Sequence, residues 1–345
     1  GKSSESCSET GTFDWYQRNT NGMLAPGMQL PAVVGASAPY QNTADMRTRG
    51  WELSVNWRDQ IGKVGYRVGF NLSDSQSKIV KYNSNESGIL TSTLSNGSTF
   101  WNYYEGKDLG EIWGYEYDGF YTVDDFTDTS SWKLKEGVPS IDGYNPRPGD
   151  VKFKNLMDDD RGTNMISGGD NTVSNPGDRK VIGNNTPRYL YGITLGANFK
   201  GFDLNVFMQG TGKRDAWIAN NLKFPLYSDF KFIALYKDLG NYWKPVDAAN
   251  GDYTAANPNA EFPRIYGNYG NQGSNYRQSD KYLSDASYFR IKNVTLSYTF
   301  PKAWITKASL SQLKAFVSIE NLATFSSLPK GIDPETLSWN YPAFR

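Results

Sequence analysis

Aromatic and acidic residues are interleaved within residues 100–121, and residues 213–285 are similarly rich in Trp and Tyr. Flat rings pack on the C–H faces of sugars, while carboxylates accept hydrogen bonds from hydroxyl groups. These two segments therefore predict a solute-binding surface. Its candidate residues are Trp101, Tyr104, Trp113, Tyr117, Trp217 and Trp243. The alternative interpretation is that the rings pack the loops together or form an aromatic girdle.

Three consecutive carboxylates, Asp158, Asp159 and Asp160, are candidates for a calcium site because Ca²⁺ prefers oxygen ligands. The alternative is a solvated acidic segment with no bound metal. We expect no transition-metal site, because the chain has no His and its single cysteine is Cys7.

The absence of His also removes Ser-His-Asp and Cys-His catalysis. A pair of carboxylates could still hydrolyse glycosides, but a sequence cannot place two of them at the required separation. We therefore predict no enzymatic activity and no cofactor other than the Ca²⁺ considered above. Lys plus Arg and Asp plus Glu both number 36, and this zero net charge argues against nucleic acid as a partner.

The composition indicates a folded, strand-rich chain. The 345 residues include 10 Trp, 23 Tyr, 18 Phe and 34 Gly, yet the mean hydropathy is −0.61. A polar average with many aromatic residues is typical of an outer-membrane β-barrel, whose strands are half polar and whose rims carry aromatic girdles. A secreted all-β sandwich or propeller is the alternative on composition alone.

Alternation of apolar and polar residues with a period of two predicts seven strands. They cover residues 12–18, 51–58, 66–73, 191–199, 202–209, 293–300 and 313–320. Short turns at 62–65 and 200–201 join two of the hairpins, whereas the segments of about 83–187 and 213–285 are very long. Short turns at one end and long loops at the other favour a transmembrane antiparallel β-barrel.

The same alternation predicts which residues share a face. The apolar set should point to lipid: Leu53, Val55, Leu195, Val206, Leu296 and Val317. The polar set should point to the lumen: Asn56, Thr194, Asn205, Ser297 and Ser318.

Several segments together resemble the SusC/RagA-type TonB-dependent transporters of Bacteroidetes. Residues 282–298 read YLSDASYFRIKNVTLSY, which resembles a signature near the end of that family. The other matching segments follow the family order: GWEL at 50–53, WGY at 113–115, PGDV at 148–151, GDR at 177–179, PRY at 187–189 and GIDPE at 331–335.

The resemblance implies that residues 12–345 are the C-terminal portion of such a barrel, with the plug and the final strand absent, and leaves residues 1–11 unassigned. It implies a multi-pass barrel in the bacterial outer membrane that imports glycans or peptides. A SusD-like surface lipoprotein, and TonB acting through the missing N-terminal part, would be its partners. Two other classes stay open: a secreted all-β carbohydrate-binding protein or glycoside hydrolase, and a purely structural surface protein.

Overall fold

The computed structural model describes residues 8–26, 39–93, 99–141, 144–157, 164–218, 224, 240–266, 274–306 and 309–337. One seven-stranded antiparallel sheet dominates these residues. Its strands are β1 (Ser8–Pro26), β2 (Tyr40–Ile61), β3 (Val64–Tyr82), β4 (Arg188–Phe199), β5 (Phe202–Lys213), β6 (Tyr288–Thr299) and β7 (Lys314–Ser326). Each strand pairs with the next along the chain.

All seven predicted strands are present, and several are longer than the alternation indicated. β2 has 22 residues and β3 has 19, because the pairing continues past the alternating segment towards the long connections. β1 likewise starts at Ser8, inside the segment that the sequence left unassigned. Within the described residues the sheet is open, with β1 and β7 at its edges.

The register places the predicted apolar residues in continuous rows across the sheet. In one row, Trp57, Val68 and Leu195 are neighbours, and the row continues through Val206 and Val294. Directly paired residues of an antiparallel ladder lie on the same face. The prediction that the apolar and polar sets occupy opposite faces is therefore confirmed.

The apolar face is not covered by other parts of the described chain. Val55, Leu195, Leu296 and Val317 are 42%, 39%, 48% and 68% exposed, respectively. A sealed globular core would leave such central strand residues almost inaccessible. The face therefore has the character expected of a surface that contacts an apolar environment.

Aromatic residues mark both ends of this face. Tyr191 stacks on Phe289, and Phe289 on Phe325, near the long connections. Phe202 packs on Tyr298 near the short turns. The strand rises about 27 Å between these two rows, which is about 20 Å of height at a tilt of roughly 40° and close to the apolar band of outer-membrane barrels.

The opposite face is polar and hydrogen-bonded. Asn293 donates to the Ser318 hydroxyl at 3.0 Å, and the hydroxyls of Thr295 and Ser318 lie 2.8 Å apart. Arg67 on the same face hydrogen-bonds Asn205 and lies 3.7 Å from the Asp203 carboxylate. Such a face suits a hydrated lumen.

The long connections, which the sequence predicted as long loops, contain short strands of their own. In the first connection they are Thr91–Thr93, Thr99–Trp101, Glu111–Tyr115, Tyr117–Phe120, Ser140–Ile141, Val151–Phe153, Met165–Ile166 and Arg179–Asn184. In the second they are Asp215–Ala216, Pro245–Asp247, Asp252–Ala255 and Ser284–Asp285.

Among the described residues, the helical segments with given bounds are short. The 3₁₀ turns are Asn83–Asn85, Val123–Asp125, Ala248–Asn250 and Asp280–Tyr282, and an α-helical turn covers Lys302–Ile305. In the described part of the chain, no helix has the length and apolar character needed to cross a membrane.

A charge placed on each face tests whether the apolar face contacts lipid. Leu195→Arg, in the middle of the apolar face, should destabilise the intact barrel in lipid vesicles by about 2–4 kcal/mol. Thr194→Arg, one residue away on the polar face, should cost much less because its guanidinium remains hydrated. Denaturant titration of folding into vesicles measures both values, and equal costs would contradict the assignment of the faces.

Candidate functional site

The two long connections fold together into one layer at the same end of the sheet. The amide of Tyr115 donates to the carbonyl of Gln278 at 2.9 Å, and the amide of Arg264 donates to the carbonyl of Gly149 at 2.9 Å. The amide of Tyr117 donates to the Asp280 carboxylate at 2.8 Å. We call the described residues of 83–187 and 214–287 the loop layer.

Asp150 is the centre of the contact between the two connections. Its buried carboxylate accepts hydrogen bonds from the Tyr266 hydroxyl at 2.7 Å, the Asn275 amide at 3.0 Å and the backbone amide of Arg147 at 2.7 Å. Asn275 in turn accepts from the amide of Val151 at 2.8 Å. Burial raises the pKa of Asp150, and the three donors oppose that rise by stabilising the carboxylate.

Asp178 has a comparable role inside the first connection. Its buried carboxylate accepts from the backbone amides of Leu156, Met157 and Ser167 at 2.6, 3.0 and 2.7 Å. Asp178 therefore joins Leu156 and Met157 to Ser167 by accepting hydrogen bonds from backbone amides that burial would leave unpaired.

The candidate calcium ligands Asp158, Asp159 and Asp160 lie outside the described residues. Among the residues that the structure describes, no group of three or more acidic, Cys or His side chains is arranged to hold a metal ion. Calcium binding by Asp158, Asp159 and Asp160 therefore stays a prediction.

Three of the six predicted aromatic residues form one cluster. Trp101 packs against the buried side chains of Leu90, Tyr104 and Trp113. The indole of Trp113 donates to Glu111 at 2.8 Å, and the Tyr104 hydroxyl donates to the same carboxylate. Trp101 is half-buried, with the Arg179 guanidinium 5.9 Å from its ring centroid. The cluster thus presents one partly accessible ring on a buried, hydrogen-bonded support.

The charged groups beside this cluster are desolvated. Burial raises the pKa of Glu111, although the hydrogen bond from Trp113 works in the opposite direction. Burial lowers the pKa of Lys107 to about 8. Its ammonium donates to the carbonyl of Asn102 at 2.8 Å and lies 5.2 Å from the centroid of the Tyr104 ring. The ammonium of Lys107 therefore stabilises the interior of the loop and is not presented to solvent.

Tyr117 belongs to a different cluster. Its half-buried ring packs against the buried core of Val151, Phe153 and Ile166. The ammonium of Lys281 lies 4.1 Å from the Tyr117 ring centroid, which is within cation–π range. Burial, with the neighbouring Asp118 charge, raises the pKa of Tyr117 to about 12, so the phenol stays a neutral hydrogen-bonding group at physiological pH.

Trp217 and Trp243 lie in the second connection. Trp217 is half-buried and packs against Phe224, with their ring centroids 5.4 Å apart. Trp243 is buried, and its ring covers Gly149, where a Cβ atom would collide with it. Trp243 thus acts as packing between the two connections.

The structure therefore gathers Trp101, Tyr104 and Trp113 but places the other three rings in separate environments. Tyr104, Trp113 and Trp243 are buried within the loop layer. Trp101, Tyr117 and Trp217 keep part of their surfaces accessible. Solute contact by any of the six stays a prediction, and the accessible three are the better placed.

Two basic residues were missed by the sequence reasoning, although both lie in or beside the 282–298 signature. Lys281 lies over Tyr117 and also over Phe120, 4.5 Å from that ring centroid. Arg290 interrupts the strand of the signature, and its side chain is fully buried. A lone arginine amid strand-forming residues was the available signal, because an arginine is almost never fully buried unless it is paired.

Arg290 anchors the segment that follows β7. Its guanidinium lies 2.5 Å from Asp333, hydrogen-bonds Glu335 and donates to the Thr324 hydroxyl at 2.8 Å. Lys292 also reaches Glu335, at 2.9 Å. Removing one partner of such a buried ion pair costs about 3–5 kcal/mol. The network explains the role of the GIDPE segment, which folds back over the polar face.

The fold and the site define a class of protein. A sequential antiparallel sheet with an exposed apolar face, aromatic rows at both ends and long connections at one end is part of an outer-membrane-type β-barrel. No family model matches the sequence.

Comparison with known proteins narrows the class of protein further. The chain is 29% identical over 329 residues to TonB-dependent receptor P3 of Formosa agariphila, covering 94% of this chain and 28% of that protein. It is 23% identical over 332 residues to TonB-dependent receptor SusC of Bacteroides thetaiotaomicron, covering 95% and 28%. The solved RagAB peptide transporter has the same fold, with a TM-score of 0.64 and 20% identity over 95% of this chain and 31% of that one.

The chain is thus similar to SusC and other TonB-dependent receptors and has the fold of part of RagAB, which is consistent with a C-terminal fragment of a SusC/RagA-type transporter. TonB-dependent receptors and SusC are outer-membrane β-barrel proteins, and these relatives are transporters or receptors, not enzymes. The chain spans about 28% of the length of the curated relatives that it matches.

The role of Asp150 can be tested by two substitutions. Asp150→Ala should loosen the contact between the two connections, because it leaves three donors unpaired at an estimated cost of about 1–3 kcal/mol each. Asp150→Asn keeps an acceptor and should preserve most of the contact. Hydrogen exchange of residues 144–157 and 274–282 in the intact transporter measures the change. Equal protection in the wild type and Asp150→Ala would contradict this role.

Proposed function

We propose that this chain forms part of the barrel of an outer-membrane, TonB-dependent importer. The proposal rests on the contrast between the exposed apolar face of the sheet and the structured connections at one end of it. The apolar face stays exposed over its whole height, while the connections fold into a structured layer at one end. A soluble sandwich would cover such a face with a second sheet.

The solutes we propose are glycans or peptides. Half-buried aromatic rings beside carboxylates and amides suit amphipathic solutes of either kind, since the rings supply contact area and the polar groups supply hydrogen bonds. The structural relative RagAB is a peptide transporter, which supports the peptide alternative. Neither proposal requires catalysis, and we propose that the protein is not an enzyme.

We propose a SusD-like lipoprotein as the partner above the loop layer and TonB as the partner of a part of the protein outside this chain. The loop layer offers a suitable platform because hydrogen bonds join its two connections into one body. A lid that rests on it would close the mouth of the barrel over a bound solute.

Trp101, Tyr117 and Trp217 are the residues that we propose contact the solute. Each has a partly accessible ring whose other side is supported by a buried cluster. Tyr104 and Trp113 would support the buried side of the Trp101 ring, whereas Trp243 packs the two connections together. A rigid aromatic platform loses little entropy when it binds a solute.

Uptake by the intact transporter tests the function. A strain lacking the gene should fail to import one fluorescent oligosaccharide or oligopeptide that the parent strain imports, and the intact gene should restore import. Loss of TonB should abolish import in the parent strain and in the strain that carries the restored gene. Recovery of the protein from the soluble fraction, or unchanged uptake without it, would contradict the proposal.

The aromatic platform can be tested separately by calorimetry on the purified transporter. Trp101→Ala and Tyr117→Ala should each weaken solute binding by roughly three- to tenfold, since the stacking that each ring provides is worth about 0.5–1.5 kcal/mol. Trp304→Ala is the matched control, because Trp304 is an exposed ring at the opposite end of the sheet. Unchanged affinity in folded variants would assign both rings to loop packing.

A further inference from the structure

The apolar face of β1–β3 ends abruptly in a basic surface. Trp15 and Trp51 pair on this face, and Asp74 of β3, whose carboxylate is ion-paired with Arg188, completes the same row. The next row on the same face contains Arg49, and the row after it pairs Arg47 directly with Lys78. We call Arg47, Arg49 and Lys78 the basic cluster.

The three members of the basic cluster share one face and are close together. Paired residues on neighbouring strands have Cβ atoms about 4.5–5.5 Å apart, and like charges directly opposite each other are destabilising. Arg47 and Lys78 are such a pair. All three residues are exposed, although the inner neighbour Thr48 is buried. An anionic ligand would relieve the repulsion between them.

The described part of the chain offers the basic cluster no ion pair. There, no carboxylate lies within 4.0 Å of the charged nitrogen atoms of the basic cluster. Arg49 donates to the neutral amide of Gln17 at 2.9 Å. Asp108 accepts a hydrogen bond from Gln76 at 3.2 Å. Glu111 is half-buried in the loop layer and is the carboxylate whose charge interacts with Lys78, so Arg47 and Arg49 are the less compensated members of the cluster. The outer surface therefore keeps an excess of positive charge.

The height of the cluster indicates what binds there. Trp residues concentrate at the level of lipid headgroups, and basic side chains just beyond them extend towards the same level. Below the cluster, Phe13 and Trp15 are 64% and 63% exposed, and the half-buried Leu53 continues this apolar surface. A ligand that is anionic at one end and apolar along its length is complementary to both surfaces.

We propose that the basic cluster binds the phosphate of a phosphorylated lipid in the outer leaflet, with its acyl chains lying along Phe13, Leu53 and Leu72. Arginine suits phosphate because its planar fork forms paired, charge-assisted hydrogen bonds. This inference rests on the membrane location given under the proposed function. It adds a lipid site on the outside of the barrel, separate from the solute site.

Native mass spectrometry of the intact transporter in detergent tests the site. The probes are a phosphorylated outer-membrane glycolipid, the same glycolipid after enzymatic dephosphorylation, and inorganic phosphate. We expect the phosphorylated lipid to bind more tightly than either. Arg47→Gln, Arg49→Gln and Lys78→Gln should each weaken its binding by roughly fivefold. Binding of the dephosphorylated lipid should not change.

Arg18→Gln is the matched control. Arg18 lies at the same height on β1, paired with Thr48, but faces the polar side of the sheet. Its substitution should leave lipid binding unchanged. Equal binding of both lipid forms, binding of inorganic phosphate alone at the same strength, or equal losses for Arg18→Gln and Arg49→Gln would each overturn the proposal.

The two proposals can fail separately. A transporter that reaches the membrane and imports solute, but does not distinguish the lipid forms, would overturn the lipid site alone. A protein recovered from the soluble fraction would overturn the proposed function as well.

Discussion

Alternation along a strand commits each residue to one of two faces, and this constraint governs the rest of the molecule. A shift of register by one residue would move every apolar side chain of a strand to the polar face. The row through Trp57, Val68 and Leu195 continues across β5 and β6 without such a slip. Because that face stays open, no other part of the described chain uses it for packing. The connections must therefore form their own cores.

The loop layer is stabilised by several small apolar cores and by a few buried polar side chains. Its apolar clusters are separate and rich in aromatic residues, as in the groups around Trp113, Phe153 and Tyr282. Large rings suit small clusters because each one buries much surface at little entropic cost. Asp150 and Asp178 then satisfy backbone and side-chain donors between the clusters. The high aromatic content of a polar chain follows from this arrangement as well as from its girdles.

The strands and their faces could be predicted because the signal is local. Leu195 and Thr194 are neighbours in sequence, and their opposite orientation follows from geometry alone. The environment of the candidate site could not be predicted in this way. Asp150 meets Tyr266 and Asn275 across 116 and 125 residues of sequence, and no pattern in either segment indicates the other. Trp101 and Trp113 looked equivalent in sequence, yet the Glu111 carboxylate draws only the Trp113 indole into the interior.

A net charge of zero conceals an unequal distribution of charge between the two sides of the sheet. On the polar side, Arg290 is matched by Asp333 and Glu335, and Arg67 lies beside Asp203. Such pairing compensates the buried charge of Arg290 and holds the returning segment in place. On the outer side, the like-charged pair of Arg47 and Lys78 forms no ion pair with a carboxylate of the described chain. The same strand, β2, thus carries a basic outer edge directly above an aromatic row. That placement suits surroundings that supply both negative charge and hydrocarbon, as the proposed phosphorylated lipid would.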